Sequence, residues 1–186
     1  MVMLKLPRPG QVKTRLGREI GMVAAAWWFR HQVRCLLRRL EDPRWDLVLA
    51  VTPDSAGMKA RVWPAHLERI TQGGGDLGAR MRRVFRARPV GPVCIIGGDI
   101  PGVERCHIAR AFRTLGNHDA VFGPALDGGF WLVGLKRKGP LPTGLFSHVR
   151  WSTEHALADS LMSLEGYRVA QVDRLRDVDE ARDLLR

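Results

Sequence analysis

The chain has 186 residues, 45% of them apolar, and a formal net charge of +11 from 30 lysines and arginines against 19 aspartates and glutamates. That length is enough for one domain with a real core. No run of about 18 apolar residues exists to span a membrane, and Pro7 and Pro9 break any secretory h-region almost at once. Cys35, Cys94 and Cys106 show no CxxC spacing and read as reduced thiols of a cytoplasmic protein. No repeat, low-complexity tract or linker divides the chain, so residues 1–186 are expected to form one domain.

MVML predicts a short first strand. KLPRPGQVKTRL is a loop that opens into a helix. GMVAAAWWFRHQVRCLLRRLED sets Val23, Trp27, Val33, Leu36, Leu37 and Leu40 at helical spacing, which predicts a long amphipathic helix with these residues inward. WDLVLAVTPD reads as a second strand, while LERIT makes a poor central strand. DLGARMRRVFRA reads as a helix with Leu77, Met81, Val84 and Phe85 on one side. VCIIGGD is a buried strand, RCHIARAFRTL a helix, and DAVFGPA and GGFWLVGL two further strands. STEHALADSLMSLEG reads as a helix capped near Ser152 or Thr153 and stopped at Gly166. YRVAQVD is a last strand and DEARDLLR a short final helix. Strands alternating with helices predict a three-layer α/β/α sandwich on a mostly parallel sheet. In such sheets ligands gather outside the carboxyl ends of the strands.

Three loops at that edge carry the candidate chemistry. In PRPGQVKTRL, Gly10 permits a turn, while Lys13 and Arg15 bring positive charge to a helix start, where it opposes the helix dipole. A bound phosphate would remove that conflict; a plain basic surface loop is the alternative. GGDIPG puts Asp99 just past a core strand. An unpaired buried carboxylate is costly, so Asp99 either meets a cation or pairs with an arginine. Mg²⁺ or Mn²⁺, which takes oxygen ligands and links carboxylates to phosphates, suits the first reading. Asp177, Asp179 and Asp183 follow the last strand as candidate second carboxylates, and Asp179 could instead cap the final helix. In GPALDGGFWLVGL, Asp127, Gly128 and Gly129 form either a hairpin turn or a loop admitting a second substrate. Trp151 could stack on a sugar or base, or be core.

QGGGDLG contains GxGxxG at Gly73, Gly75 and Gly78, with Asp99 about 20 residues on, as a dinucleotide fingerprint requires. The weak strand before it and its mid-chain position count against that reading. The arginines are spread over every segment. The densest runs, RCLLRRL and RMRRVFRAR, have helical spacing and are either solvated faces or contacts for a polyanion. No HExxH, Cys/His zinc pattern or GxSxG elbow supports a hydrolase.

Taken in order, KLPRPGQVKTRL, QGGGDLGARM, IIGGDIPG, GPALDGGFWLVGL, LFSHVRWST and DVDEARDL resemble the DUF2064 family of bacterial glycosyltransferase-like proteins from end to end. That family is similar to the nucleotide-diphospho-sugar transferase (GT-A) superfamily. Its relatives include the guanylyltransferases of 2-phospholactate and of molybdenum cofactor, and some members are described as arsenosugar-biosynthesis glycosyltransferases. The resemblance implies a Rossmann-like mixed sheet, with nucleotide in the N-terminal half and acceptor in the C-terminal half. It assigns Lys5, Gly10, Lys13 and Arg15 to the nucleotide phosphates and Asp76, Leu77 and Gly78 to base or ribose. Asp99 and Asp179 would hold Mg²⁺ or Mn²⁺, with Asp99 catalytic; Asp127 would border the acceptor, and from that place we expect it to be a second catalytic residue that orients the acceptor. Gly128, Gly129, Trp151 and Ser152 would border the acceptor. The family's DxD appears here as GGD, and the ending DVDEARDL lacks the Thr-Pro of related nucleotidyltransferases. Only Met1–Leu4 precede Lys5, so the first strand is expected to be clipped or to start upstream. The expected reaction is metal-dependent glycosyl transfer from a nucleotide sugar to a small acceptor. Nucleotidyl transfer from an NTP to a phosphorylated small acid is the alternative within the fold. Outside it stand a dinucleotide enzyme and a non-catalytic nucleotide- or nucleic-acid-binding protein; the scattered arginines make nucleic acid a poor expectation.

Overall fold

The structure is a computed structural model and describes residues 1–185; Arg186, the last residue of the expected final helix, lies outside them. Seven strands form one sheet: β1 (Val2–Lys5), β2 (Val48–Thr52), β3 (Glu68–Thr71), β4 (Val93–Gly97), β5 (Ala120–Pro124), β6 (Phe130–Leu135) and β7 (Val169–Gln171). Their order is β3-β2-β1-β4-β6-β5-β7. All neighbours run parallel except β6, which is antiparallel to both β4 and β5. The inner strands VLAVT, VCIIG and AVFGP are buried nearly throughout, because helices cover both faces and leave no polar side to alternate with. The two edges are short and partly polar, ERIT and VAQ, which discourages pairing with another chain. LERIT is thus a strand after all, placed at an edge where its charges reach solvent.

The helices are α1 (Thr14–Ile20), α2 (Met22–Leu40), α3 (Asp54–Lys59), α4 (Leu77–Arg86), α5 (Arg105–Leu115) and α6 (Ala156–Met162), with a 3-10 turn at Ala181–Leu185. One core gathers α2 and α5 residues such as Leu36, Leu37 and Ile108 against Leu4, Leu49 and Ile96. On the other face, Met81, Val84 and Phe85 of α4 pack with Ile95, Phe122 and Val133. Truncating one of these buried leucines to alanine costs about 2–5 kcal/mol.

Two expectations are corrected. Val23 and Trp27 are not inward: they are 58% and 63% exposed. The buried stripe of α2 runs instead through Ala26, Phe29, Val33, Leu36, Leu37 and Leu40. Ala25 and Ala26 are buried on that face in their place. The helix expected from Ser152 begins only at Ala156; its N-cap is His155, which makes no side-chain cap. Thr153 Oγ1 donates to Arg150 O and accepts from His155 N, so it stabilises the preceding loop rather than the helix. Cys94 is buried, which pushes its thiol up to about 12, and all three cysteines are free. Among the described residues no helix is long and apolar enough to cross a membrane.

Candidate active site

The loops after β1, β4 and β5 and the segment after β7 meet at the carboxyl edge of the parallel strands. Lys13 stands just before α1 in a left-handed conformation (φ 45°). This turn sends its side chain inward, where it is 6% exposed. Its Nζ donates to Asp99 Oδ2 at 2.8 Å and to Asp179 Oδ1 at 2.7 Å. Arg15 reaches Asp179 Oδ2 at 3.5 Å from solvent. Burial alone would lower the Lys13 pKa, but the Asp99 and Asp179 carboxylates outweigh it and raise it. The lysine expected at phosphates and the two aspartates expected at metal are therefore one cluster.

The glycines before Asp99 have a steric purpose. A Cβ on Gly98 would lie 2.5 Å from Leu4 Cδ2, so only glycine lets this turn pass over β1 and return Asp99 to the edge. Asp179 is released for Lys13 because another residue does the capping. Asp183 Oδ2 accepts from the Asp179 and Glu180 backbone N–H groups at 3.1 and 3.0 Å. The expected alternative of an Asp179 cap is thereby replaced.

Beside the cluster lies a cleft of about 330 Å³, lined among others by Asp99, Asp127, Gly129, Trp151, Ser152 and Asp177. Asp127 serves the hairpin between β5 and β6, its Oδ1 accepting from Gly129 N at 2.9 Å; it also faces the cleft. Gly128 (φ 85°) turns tightly against the Glu154 backbone. Trp151 packs edge-on to Phe146 and Phe130, and its indole N–H is buried without a partner among the described residues. It is both wall of the cleft and part of an aromatic core. Arg150 fixes this loop: its guanidinium and backbone N–H bind the Asp159 carboxylate of α6 at 2.8–3.0 Å.

Of the residues assigned to base or ribose, only Leu77 lines the cleft. Asp76 is exposed and caps α4, accepting from Ala79 N at 2.7 Å. Gly78 lies beneath Trp151 and Phe146, where a Cβ would come within 2.9 Å of each. The glycine loop is held by protein groups: Gln72 donates to Leu4 O and Ala50 O, Asp54 accepts from Gly73 N, and Arg83 binds Gln72 O and Gly74 O. Lys5 and Gly10 are exposed at the end of β1 and in the loop beyond it.

Asp177, one of the three candidate second carboxylates after the last strand, lines the cleft. Val178, between Asp177 and Asp179, is 5% exposed and packs inward. Burial, then the charges of Asp179, Asp127 and Asp99, push the Asp177 carboxyl above its ordinary range.

The donor set suits a hard divalent cation. Two carboxylate oxygens from distant parts of the chain converge on one cationic atom at 2.7–2.8 Å. Among the described residues no group of three or more acidic, histidine or cysteine ligands forms a closed metal site. Two carboxylates with open positions match the way Mg²⁺ is held when substrate phosphates complete its shell.

The family of uncharacterized proteins conserved in bacteria called DUF2064 matches residues 36–153. A crystal structure from Desulfovibrio desulfuricans G20, provisionally described as a nucleotide-diphospho-sugar transferase, is 31% identical, covers 96% of this chain and 80% of its own, and superposes with a TM-score of 0.85. Two more distant structures share the fold. One is the 4-diphosphocytidyl-2C-methyl-D-erythritol synthase of Anaerococcus prevotii DSM 20548 (10% identity, 99% and 94% coverage, TM-score 0.59). The other is the manganese complex of Rv0371c from Mycobacterium tuberculosis H37Rv (14% identity, 99% and 94% coverage, TM-score 0.57). No protein of curated function matches the sequence. With the family profile spanning most of the sheet and a relative aligned over nearly the whole length, the chain belongs to the DUF2064 family, on the nucleotide-diphospho-sugar transferase fold.

Proposed function

We propose that this protein is a metal-dependent transferase that uses a nucleotide-activated donor, and that it moves a sugar from a nucleoside diphosphate to a small acceptor. The observation that carries the reading is the convergence of Lys13 with Asp99 and Asp179 beside the cleft. Its 31%-identical relative, described as a nucleotide-diphospho-sugar transferase, supports the donor class. A Mg²⁺ or Mn²⁺ ion on Asp99 and Asp179 would supply positive charge against the departing diphosphate. Lys13 and Arg15 add their own charge, so catalysis is electrostatic and positional and needs no protein nucleophile. Asp127 orients the acceptor hydroxyl and can take its proton, since its Oδ2 has no protein partner among the described residues. The unpaired Trp151 N–H and the indole edge give the acceptor a half-polar wall.

The test is product analysis after incubation with nucleotide sugars, with and without Mg²⁺ or Mn²⁺. Metal-dependent release of nucleoside diphosphate is expected. Pyrophosphate release from an NTP would instead mark nucleotidyl transfer. Asp99→Asn is expected to cut turnover by about 100-fold or more while melting near the parent temperature. Parent-like, metal-dependent turnover by that variant would overturn the assignment of Asp99.

A further inference from the structure

A second groove, of about 390 Å³, shares no residue with the cleft. It lies between α2 and the loop that leads into β3, toward the opposite edge of the sheet. Arg30, Arg34 and Arg38 enter it from α2 and Arg61 from the loop, while Glu41, its one carboxylate, is paired with His66 at 3.1 Å. Residues 30, 34 and 38 stand one helical turn apart, about 6 Å each. All four arginines are exposed, and none has an ion pair or side-chain hydrogen bond among the described residues. Like charges spaced i, i+4 weaken a helix, so the row costs stability in the free protein. An anion lying along it would reverse that cost.

The opposite wall is fixed in advance. Arg69 donates to the carbonyls of Met58, Ala60, Trp63 and Pro64, and the Trp63 indole donates to Gly57 O at 3.1 Å. The loop that presents Arg61 is thus braced without a ligand. One turn before Arg30, Trp27 is 63% exposed, with the Arg30 guanidinium 5.2 Å from its ring centroid. Three of the arginines follow one another along α2 and the fold adds Arg61, so the row runs toward an exposed aromatic ring that Arg30 faces.

We infer that this groove binds the phosphodiester backbone of a single-stranded nucleic acid. A row of guanidiniums along a groove, with an exposed ring for a base to stack on, is the arrangement that such strands require. Short oligophosphates would leave Trp27 without a role, and an acidic peptide would not gain from stacking.

The experiment is fluorescence anisotropy of a labelled oligothymidylate over a salt titration. Arg34→Gln/Arg38→Gln is expected to weaken binding about tenfold at low salt and to flatten the log–log salt slope by roughly 0.7 per arginine removed. Arg61→Gln, on the other wall, provides an independent loss. Arg86→Gln/Arg113→Gln, on α4 and α5, removes the same charge elsewhere and is expected to leave binding within about twofold. Trp27→Ala is expected to weaken the oligonucleotide but not tripolyphosphate. Melting curves of each variant confirm the fold. No binding at low salt overturns the inference, as does equal loss in the Arg86/Arg113 control. So does displacement by polyglutamate at equal charge, or tripolyphosphate binding as tightly per phosphate.

Discussion

Lys13 is a cation held by two carboxylates that the proposed chemistry needs for another cation. In the protein alone its ammonium neutralises Asp99 and Asp179, each 36% exposed. Lys13→Met would leave the two acids facing each other. A charged hydrogen bond of this kind is worth about 1.5–3 kcal/mol when shielded, and the partial exposure of the acids places the loss nearer the lower end. Added Mn²⁺ is expected to raise the melting temperature of this variant more than that of the parent, because the metal replaces the missing charge. A larger shift in the parent would show that the carboxylates do not share a cation without lysine. Asp99 itself could be read from the sequence, as an acid where a core strand meets its turn. The partner of Asp99 could not: Lys13 lies 86 residues away, and only the left-handed turn before α1 directs it inward. The sequence offered Asp177, Asp179 and Asp183 alike as the second carboxylate; only the fold sets Asp179 on Lys13, Asp183 on backbone N–H groups and Asp177 at the cleft.

At the scale of elements, the wall of the cleft depends on two contacts outside it. One is the seat of α4 under the aromatic loop. Gly78→Ala would push a methyl against Trp151 and Phe146, at a cost of about 1–3 kcal/mol for overpacking. Binding titrations are expected to show weaker affinity for a nucleotide sugar than the parent has, with affinity for the bare nucleoside diphosphate nearly unchanged. The other contact is Arg150–Asp159. Side-chain, then backbone, hydrogen bonds from Arg150 hold the Asp159 carboxyl far below its ordinary range. The folded-state pKa is depressed, so this stabilisation is complete above the unfolded value of 3.8 and fades as pH falls below it. Asp159→Asn should therefore melt below the parent at neutral pH, and the gap should close as the pH drops under about 4. A gap constant with pH would show that charge is not what fixes the loop. The sequence placed α4 and its inward face well, because Met81, Val84 and Phe85 keep helical period. It misplaced the face of α2, since bulk hydrophobicity favoured Val23 and Trp27 where packing selected alanines. It passed over α3, six residues too short for any period to register.

The whole molecule was legible as an alternation of strands and helices, and that alternation was enough to place the candidate loops at one edge. Strand order was not legible. Nothing local in GGFWLVGL says that β6 runs antiparallel between β4 and β5; the DG hairpin fixes the β5 contact, while the β4 contact depends on sheet-wide packing. Nor did the chain order of the arginines show the groove, because Arg61 joins the α2 row only when β3 pairs with β2. The last β-element and the segment after it add a consequence for biosynthesis. Val178 N binds Asp99 O, and Asp179 meets Lys13 across 166 residues. A growing chain emerging from the ribosome has every other wall of the cleft before it has this acid. The central strands can collapse early, yet the charge cluster closes only once Asp179 has been released. A chain still short of Asp179 holds the central strands but leaves Lys13 with only one of its two carboxylates.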